Sequence, residues 1–222
     1  MKNSRLLIIV AHPDDEMIGC GATILKYNNK KNIHIIVTTK SHVKRINIKN
    51  TEHDFRKKNC LNLLKELKIK SQFLEYPSLA LSRKDVTNLA NDLYNSIIKI
   101  KPETIYTHTY KDEHYDHRKT HEATMIACRP RKELFFLKNI LTFEITSIPN
   151  YSHNNFKPNF FVDVKDYYKK KLQMLKKYYS DELHPYPHFR SLKAIENNMS
   201  YRGNSVGTKY AEAFELVYSI NK

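Results

Sequence analysis

The N-terminal part of the chain alternates between short apolar runs and segments with helical periodicity. A short apolar run predicts a strand at residues 6–10, and three further segments predict strands at residues 33–37, 73–76 and 104–107. Between and after them, apolar positions spaced three and four apart predict helices, from Gly21 to about residue 27 and over residues 52–67, 85–100 and 116–128. Strands that alternate with helices need crossover connections, so this part predicts a mostly parallel sheet with helices on both faces.

The remainder of the chain is less regular but contains the same kinds of segment. Residues 141–145, 160–164 and 214–220 predict strands, and residues 166–179 predict a helix. We find no internal repeat and no low-complexity linker, and 222 residues suit one α/β domain. The sequence therefore predicts a single three-layer α/β domain over residues 1–222.

Composition excludes several classes of protein. Hydrophobic residues make up 41% of the chain and aromatic residues 11%, which is enough for a core. The longest apolar run, residues 6–11, is too short to span a membrane, and acidic residues follow where a signal peptide would be cleaved. Three widely spaced cysteines predict neither a disulfide framework nor a thiolate zinc site, which fits a cytoplasmic protein.

The chain is strongly basic, with 38 Lys and Arg against 23 Asp and Glu and a formal net charge of +15. Such a charge suits nucleic acid, an anionic membrane surface or an anionic substrate. Compositional bias also explains it, because lysine, asparagine, isoleucine and tyrosine are frequent throughout. The basic segments lack the signatures of RNA modules, fingers and zippers, so no nucleic-acid partner is expected.

Two polar clusters directly follow the first and the fourth predicted strands. The first is Ala-His-Pro-Asp-Asp-Glu at residues 11–16, and the second spans residues 108–117, with three histidines and three acids. In open α/β sheets the site lies outside the carboxyl ends of the strands. Acids and histidines at this position are hard to explain as solvated surface, so they predict a functional site.

The side chains of these clusters suit a metal-dependent hydrolase. Catalytic zinc takes about three protein ligands from His, Asp, Glu or Cys and keeps one position for water. His12 and Asp15 can converge from one turn, and a histidine of the second cluster can complete the set. Asp14 can take the proton of the water. The other histidine can donate to a developing oxyanion, with Asp116 orienting it.

Each piece of the pattern also has a purely structural interpretation. His12 is compatible with a simple turn, and the acids after it suit the start of a helix, where the helix dipole favours them. His114, His117 and His121 share one helical stripe, and we expect His121 to be a surface or packing residue. His108 and the remaining histidines are interpreted as structural.

The motifs together resemble a known family. Residues 11–16 and 114–117, with the C-terminal segments 188–191 and 202–214, resemble the LmbE-like de-N-acetylase superfamily, which includes the N-acetylglucosaminyl-phosphatidylinositol de-N-acetylases (PIG-L). The resemblance covers nearly the whole chain. It implies a Rossmann-like fold, a single LmbE-like deacetylase domain and hydrolysis of the N-acetyl group of an amino sugar, with release of acetate and a free amine.

The resemblance also implies roles for individual residues. It suggests one Zn²⁺ per chain on His12, Asp15 and His117, although such ligands also suit Fe²⁺, Co²⁺ or Mn²⁺. It makes Asp14 the general base. His114 becomes the group that stabilises the oxyanion or acts as acid.

Four further residues are expected around this centre. Asp112 and Asp116 become supporting groups behind the ligands, with Asp116 still counted among the catalytic residues. Arg56 resembles the substrate-facing arginine of the family, and Arg190 belongs to the C-terminal signature. With the charge of +15, Lys40 and these two arginines, expected near the mouth of the pocket, predict a phosphate or carboxylate on the substrate.

The chain departs from the family pattern on the substrate side. Ser78 stands where an aspartate commonly helps to hold the sugar, and Lys40 stands where a glycine is usual. The sugar and its aglycone therefore stay open. Two other functions are kept as alternatives: a zinc amidase acting on another amide, such as a thiol conjugate, and a basic nucleic-acid-binding protein with an inert metal site. The oligomeric state is not predicted.

Overall fold

Seven strands form one sheet in the computed structural model, which describes residues 4–29, 32–40, 51–146 and 155–221, without the side chains of residues 51–54. The strands are β1 (Arg5–Val10), β2 (Asn32–Thr39), β3 (Lys70–Tyr76), β4 (Thr104–His108), β5 (Asn139–Phe143), β6 (Phe160–Asp163) and β7 (Ala211–Ser219). Their order in the sheet is β3-β2-β1-β4-β5-β7-β6. The first five are parallel, whereas β7 runs antiparallel to β5 and to β6.

Helices cover both faces of the sheet. They are α1 (Asp15–Tyr27), α2 (Thr51–Glu66), α3 (Arg83–Ile100), α4 (Tyr115–Ala127), α5 (Tyr168–Tyr178) and α6 (Leu192–Asn204). Helices α3 and α4 pack on one face, and α1, α2, α5 and α6 pack on the other. Within the described residues, none of these helices is both long and apolar enough to cross a membrane.

Strand β1 shows why the apolar runs predicted a parallel sheet. Leu6, Ile8 and Val10 point into the core on one face, and Leu7 and Ile9 point into the core on the other. Each of the five is at most 1% exposed. A strand covered by helices on both sides carries apolar residues at every position, which is the continuous run seen in the sequence. The predicted three-layer, mostly parallel α/β fold is confirmed.

Two elements differ from the sequence-based prediction. Helix α1 begins at Asp15 rather than after Gly21, and it continues through a kink at Cys20, where φ is −142°. Gly19 is needed for packing, because a Cβ at this position would lie 2.4 Å from the ring of Phe143. Helix α6 was missed, since only a narrow stripe of it is buried and the apolar periodicity is weak.

A buried ion pair supports the kinked helix α1. The Glu212 carboxylate on β7 accepts the backbone N–H groups of Ala22 and Thr23 at 3.0 and 2.7 Å, just beyond the kink. The Lys171 ammonium on α5 lies 2.7 Å from the same carboxylate and donates to the carbonyl of Ile18. Lys171 and Glu212 therefore hold the helix that follows the first polar cluster.

The order of the strands places the two polar clusters side by side. Strands β1 and β4 are parallel neighbours, and the helices that follow them, α1 and α4, cover opposite faces of the sheet. Such a reversal is where open α/β sheets leave a crevice at the carboxyl ends of the strands. The loops after β1 and β4 both open into this crevice, as the sequence predicted.

Candidate metal centre

The turn between β1 and α1 holds its acidic residues in a strained backbone. Asp14 has φ 119° and ψ −30°, a conformation that costs non-glycine residues about 1–3 kcal/mol. The buried carboxylate of Glu16 accepts the backbone N–H of Asp14 at 3.0 Å, and the Tyr179 hydroxyl donates to the same carboxylate. The backbone N–H of His12 donates to Asp15 Oδ2 at 2.8 Å. These contacts fix Asp14 and Asp15 in fully buried positions.

Three side-chain atoms from two strand ends meet beside this turn. His12 Nδ1 and Asp15 Oδ2 lie 3.3 Å apart, and His117 Nε2 lies 3.3 Å from each of them. Ligands about 2.0–2.1 Å from a tetrahedral zinc ion are separated by about 3.3–3.4 Å. The three atoms therefore form a triangle with the edge length of a tetrahedral metal site.

Two carboxylates behind the triangle decide which ring nitrogens carry protons. His12 Nε2 donates to Asp116 Oδ2 at 2.9 Å, and His117 Nδ1 donates to Asp112 Oδ2 at 2.7 Å. Both rings thus turn the nitrogen that has a lone pair toward Asp15. Carboxylates commonly fix ligating histidines in this way, so the donor set fits a divalent metal.

The electrostatics of the triangle favour a positive charge. Burial by itself lowers the pKa of His117, but the negative charge of Asp15 and the hydrogen bond to Asp112 outweigh it and raise the pKa to about 10. The pKa of Asp15 stays well below its usual range despite burial, because His117 lies beside it.

His108, interpreted as structural from the sequence, lies directly under the centre. Its ring stacks on that of His117 with centroids 4.0 Å apart, and its Nε2 accepts the backbone N–H of Ala11 at 2.9 Å. Because that lone pair is occupied, His108 is a packing residue although it lies near Asp15 and His117. Burial lowers its pKa to about 4, which keeps it neutral. His121 donates to the carbonyl of His108 and stands outside the triangle.

His114 stands beside the triangle and offers one proton. Its ring centroid lies 4.8 Å from that of His12 and 4.4 Å from that of His117. The backbone N–H of Asp116 donates to His114 Nδ1 at 3.2 Å, so the ring proton is on Nε2. Burial and the neighbouring histidines lower the pKa of His114 to about 4. His114 is therefore a neutral N–H donor.

The prediction that the Asp116 carboxylate orients His114 is wrong. That carboxylate holds His12, and only the backbone of Asp116 contacts His114. The same carboxylate also accepts hydrogen bonds from the loop after β3, from the Ser78 hydroxyl at 2.6 Å and from the Leu79 N–H at 2.8 Å. Because α4 begins at Tyr115, Asp116 lies in its first turn, and its carboxylate reaches the loop after β1 rather than His114 at the helix cap.

The two predicted substrate-binding arginines meet at Glu182, a carboxylate that sequence reasoning missed. Arg190 Nη1 donates to Glu182 Oε2 at 2.9 Å, and Arg56 pairs with the other oxygen of Glu182. Arg190 Nη2 lies 3.1 Å from Asp14 Oδ2. A single glutamate in a polar segment carries no local signal, so only the folded chain shows this contact.

Asp14 retains one unoccupied acceptor. Its Oδ1 is buried and has no hydrogen-bond partner among the described residues. Burial raises the pKa of Asp14 to about 6, an effect that the neighbouring Arg190 reduces. A buried carboxylate with a raised pKa and a free oxygen has the properties of a proton acceptor.

Comparison with known proteins identifies the family. The model of the PIG-L family, described as GlcNAc-PI de-N-acetylase, matches residues 7–128, more than half of the chain. The uncharacterized deacetylase YaiS of Escherichia coli K12 is 30% identical over 185 residues, which are 81% of this chain and 92% of that protein. This chain belongs to the PIG-L family. The resemblance read from the motifs is confirmed, and membership makes the chain a hydrolytic N-deacetylase.

Solved structures share the fold of this PIG-L family member over nearly its whole length. The conserved protein TT1542 from Thermus thermophilus superposes with a TM-score of 0.76 and 21% identity, over 98% of this chain and 96% of that one. The N,N′-diacetylchitobiose deacetylase from Pyrococcus horikoshii has a TM-score of 0.75 and 21% identity, over 97% and 84%. The common fold thus extends past residue 128, where the family match ends.

The site residues predicted for this PIG-L family member form two sets of contacts. The first contains His12, Asp15, His114, Asp116 and His117, and the second contains Asp14, Arg56 and Arg190 with Glu182. The peptide bond between Asp14 and Asp15 joins the two sets.

Proposed function

We propose that this chain hydrolyses the acetamide of an N-acetylated amino sugar, with one Zn²⁺ held by His12, Asp15 and His117. The observation that carries the proposal is the triangle of donor atoms with edges of 3.3 Å. The sugar is proposed from the family description, GlcNAc-PI de-N-acetylase, and from the chitobiose deacetylase with the same fold.

The donor set supports zinc as the ion. Two imidazoles and one carboxylate are found in catalytic zinc sites, although Fe²⁺, Co²⁺ and Mn²⁺ also accept such ligands. Bound Zn²⁺ supplies Lewis acidity toward a carbonyl and lowers the pKa of water toward about 7. Asp112 and Asp116 keep both imidazoles in the ligating tautomer.

Asp14 is the proposed general base. Its unpartnered Oδ1 accepts the proton of the attacking water and later returns it to the amine nitrogen that leaves. Arg190 holds the other oxygen, so the carboxylate presents Oδ1 in one orientation. The strained backbone of Asp14, held by Glu16, places this carboxylate next to Asp15 in the turn.

His114 is the proposed donor to the oxyanion that forms on the acetamide carbonyl. The hydrogen bond from the backbone of Asp116 occupies its Nδ1 and leaves the Nε2–H to donate to a ligand. A neutral imidazole beside the ligands stabilises the developing negative charge by donating its N–H in a hydrogen bond, and no proton has to be transferred. Because its pKa is lowered to about 4, His114 keeps this state at neutral pH.

The substrate is proposed to be uncharged where it meets Arg56 and Arg190. The sequence-based prediction of an anionic substrate relied on the net charge of +15, on Lys40 and on these two arginines, and both arginines pair with carboxylates of the chain. A cytoplasmic location is proposed as well. Its support is that Cys20, Cys60 and Cys128 are buried free thiols, as expected in a reducing compartment.

Acetate release tests the proposed function. Protein reconstituted with one equivalent of Zn²⁺ should release acetate from N-acetylglucosamine or N,N′-diacetylchitobiose, and a chelator should abolish the release. Hydrolysis of a thiol-conjugate amide without activity on any N-acetylated sugar would instead indicate another amidase. Binding to nucleic acid that falls steeply with salt and ignores the chelator would indicate a binding protein.

A further inference from the structure

Glu182 joins two arginines at the edge of the proposed active site. It lies at the end of a short 3₁₀ turn, Ser180–Glu182, and is 8% exposed. One of its oxygens accepts from Arg190 at 2.9 Å and the other pairs with Arg56. Arg190 in turn reaches Asp14 at 3.1 Å. The four side chains form a chain of alternating charge that ends at the proposed general base.

The charges of this cluster cancel. Arg56 and Arg190 carry two positive charges, and Glu182 and Asp14 carry two negative ones when both are ionised. A phosphate or carboxylate on the substrate would therefore meet two arginines that are already neutralised, with Glu182 between them. Like charges held together in a partly buried place repel strongly, because little water screens them.

Uncharged groups meet no such repulsion. A guanidinium has five N–H donors, and the contacts with Glu182 and Asp14 use two nitrogens of Arg190 and one of Arg56. The remaining donors are able to bind sugar hydroxyls while all three ion pairs stay in place. The same arginines thus suit a polar, neutral ligand better than an anionic one.

We propose that Glu182 is a specificity-determining residue, which cancels the charge of Arg56 and Arg190 and thereby selects uncharged amino sugars over their phosphorylated or carboxylated conjugates. The proposal rests on the proposed function, because it concerns the substrate of the same site. Glu182 acts through the two arginines and takes no part in the reaction itself.

Glu182→Gln tests the proposal, since it removes the charge and keeps the shape. Wild-type protein should hydrolyse N-acetylglucosamine with a higher kcat/KM than its 1-phosphate or 6-phosphate at low salt. In Glu182→Gln, the kcat/KM for the phosphorylated sugar divided by that for the neutral sugar should rise about tenfold or more. Added salt should reduce this increase, because it screens the charges. An unchanged ratio overturns the proposal.

Two control variants separate this effect from a general change in charge. Glu103→Gln alters the net charge equally but lies beside β4 at the other end of the sheet, where it faces Lys138, and its ratio should equal that of the wild type. Adding Arg56→Gln to Glu182→Gln restores the balance of the cluster and should return the ratio toward the wild-type value. A gain in Glu103→Gln as large as in Glu182→Gln overturns the proposal.

Binding of inorganic phosphate gives a readout that needs no substrate. In calorimetry on the zinc-loaded protein, Glu182→Gln should bind phosphate about tenfold tighter than the wild type and Glu103→Gln. Tighter phosphate binding by Glu182→Gln supports the role of Glu182 even if no sugar releases acetate. In that case the proposed sugar substrate is wrong, and the charge balance of the cluster is still shown. If Glu182→Gln does not fold, the wild-type comparison decides: a preference for the neutral sugar supports the proposal, and a preference for either phosphate overturns it.

Discussion

The carboxylate of Asp116 accepts a hydrogen bond of 2.9 Å from Nε2 of His12, a residue 104 positions away in the sequence. The bond links the helix after β4 to the loop after β1 across the crevice of the sheet. It leaves the lone pair of His12 on Nδ1, toward Asp15 and His117. The metal triangle therefore depends on a residue outside it.

Asp116→Asn should weaken metal binding by about 10–100-fold, as loss of a carboxylate behind a ligating histidine does elsewhere. The amide carries no charge and no longer stabilises the donor nitrogen of His12 as strongly. Competition with a chromophoric chelator measures the change. Ser78→Ala, which removes only a neighbouring hydrogen bond to Asp116, should have a smaller effect. Equal affinities in the wild type and Asp116→Asn would contradict the assignment.

His117→Ala should lose the metal, and His121→Ala should keep it. Both histidines lie on α4, but only His117 reaches the triangle, whereas His121 donates to the carbonyl of His108. Metal content after dialysis, measured by mass spectrometry, distinguishes the two. If His121→Ala lost the metal and His117→Ala kept it, His121 rather than His117 would be the ligand from α4.

Asp14→Asn should keep the fold and the metal but reduce kcat by roughly 10²–10⁴-fold, the usual contribution of a general base. Asparagine tolerates the positive φ of this position and lacks only the ability to accept the proton. Asp15→Asn removes an anionic ligand and should lose metal as well as activity. Steady-state kinetics and metal analysis of both variants check this. More than about a tenth of the wild-type kcat in Asp14→Asn would assign the base to another group.

Lys171→Met should destabilise the protein by about 3–5 kcal/mol, because it leaves the Glu212 carboxylate buried without its cation. Both side chains are nearly inaccessible, and their oxygen and nitrogen lie 2.7 Å apart. Chemical denaturation measures the loss. Adding Glu212→Gln should recover part of it, since an amide still accepts from the backbone of α1 and carries no charge. No recovery in the double variant would show that the charge of Glu212 is not the cause.

Local patterns were sufficient for much of the site. Strand β1 was predicted because helices cover both of its faces, which makes every position apolar from residue 6 onward. Residues 11–16 are contiguous, so their composition alone marked the end of a strand as polar and chemically unusual. The boundaries of α1 were predicted less well. Gly19 and Gly21 suggested a break, whereas packing against Phe143 at Gly19 and against Met17 at Gly21 leaves no room for a Cβ.

Only the tertiary structure decided which side chains form hydrogen bonds and ion pairs with one another. Asp116 supports His12 rather than His114. Glu182 joins Arg56 to Arg190, although Arg56 lies in α2, more than 120 positions before Glu182 in the sequence. Periodicity and motif spacing describe neighbours along one segment, whereas these pairs come from segments that meet only when the sheet and its helices are assembled. The sequence by itself determined which groups are available for chemistry. The order of the strands determined their partners, because it sets the distances over which charges and hydrogen bonds act.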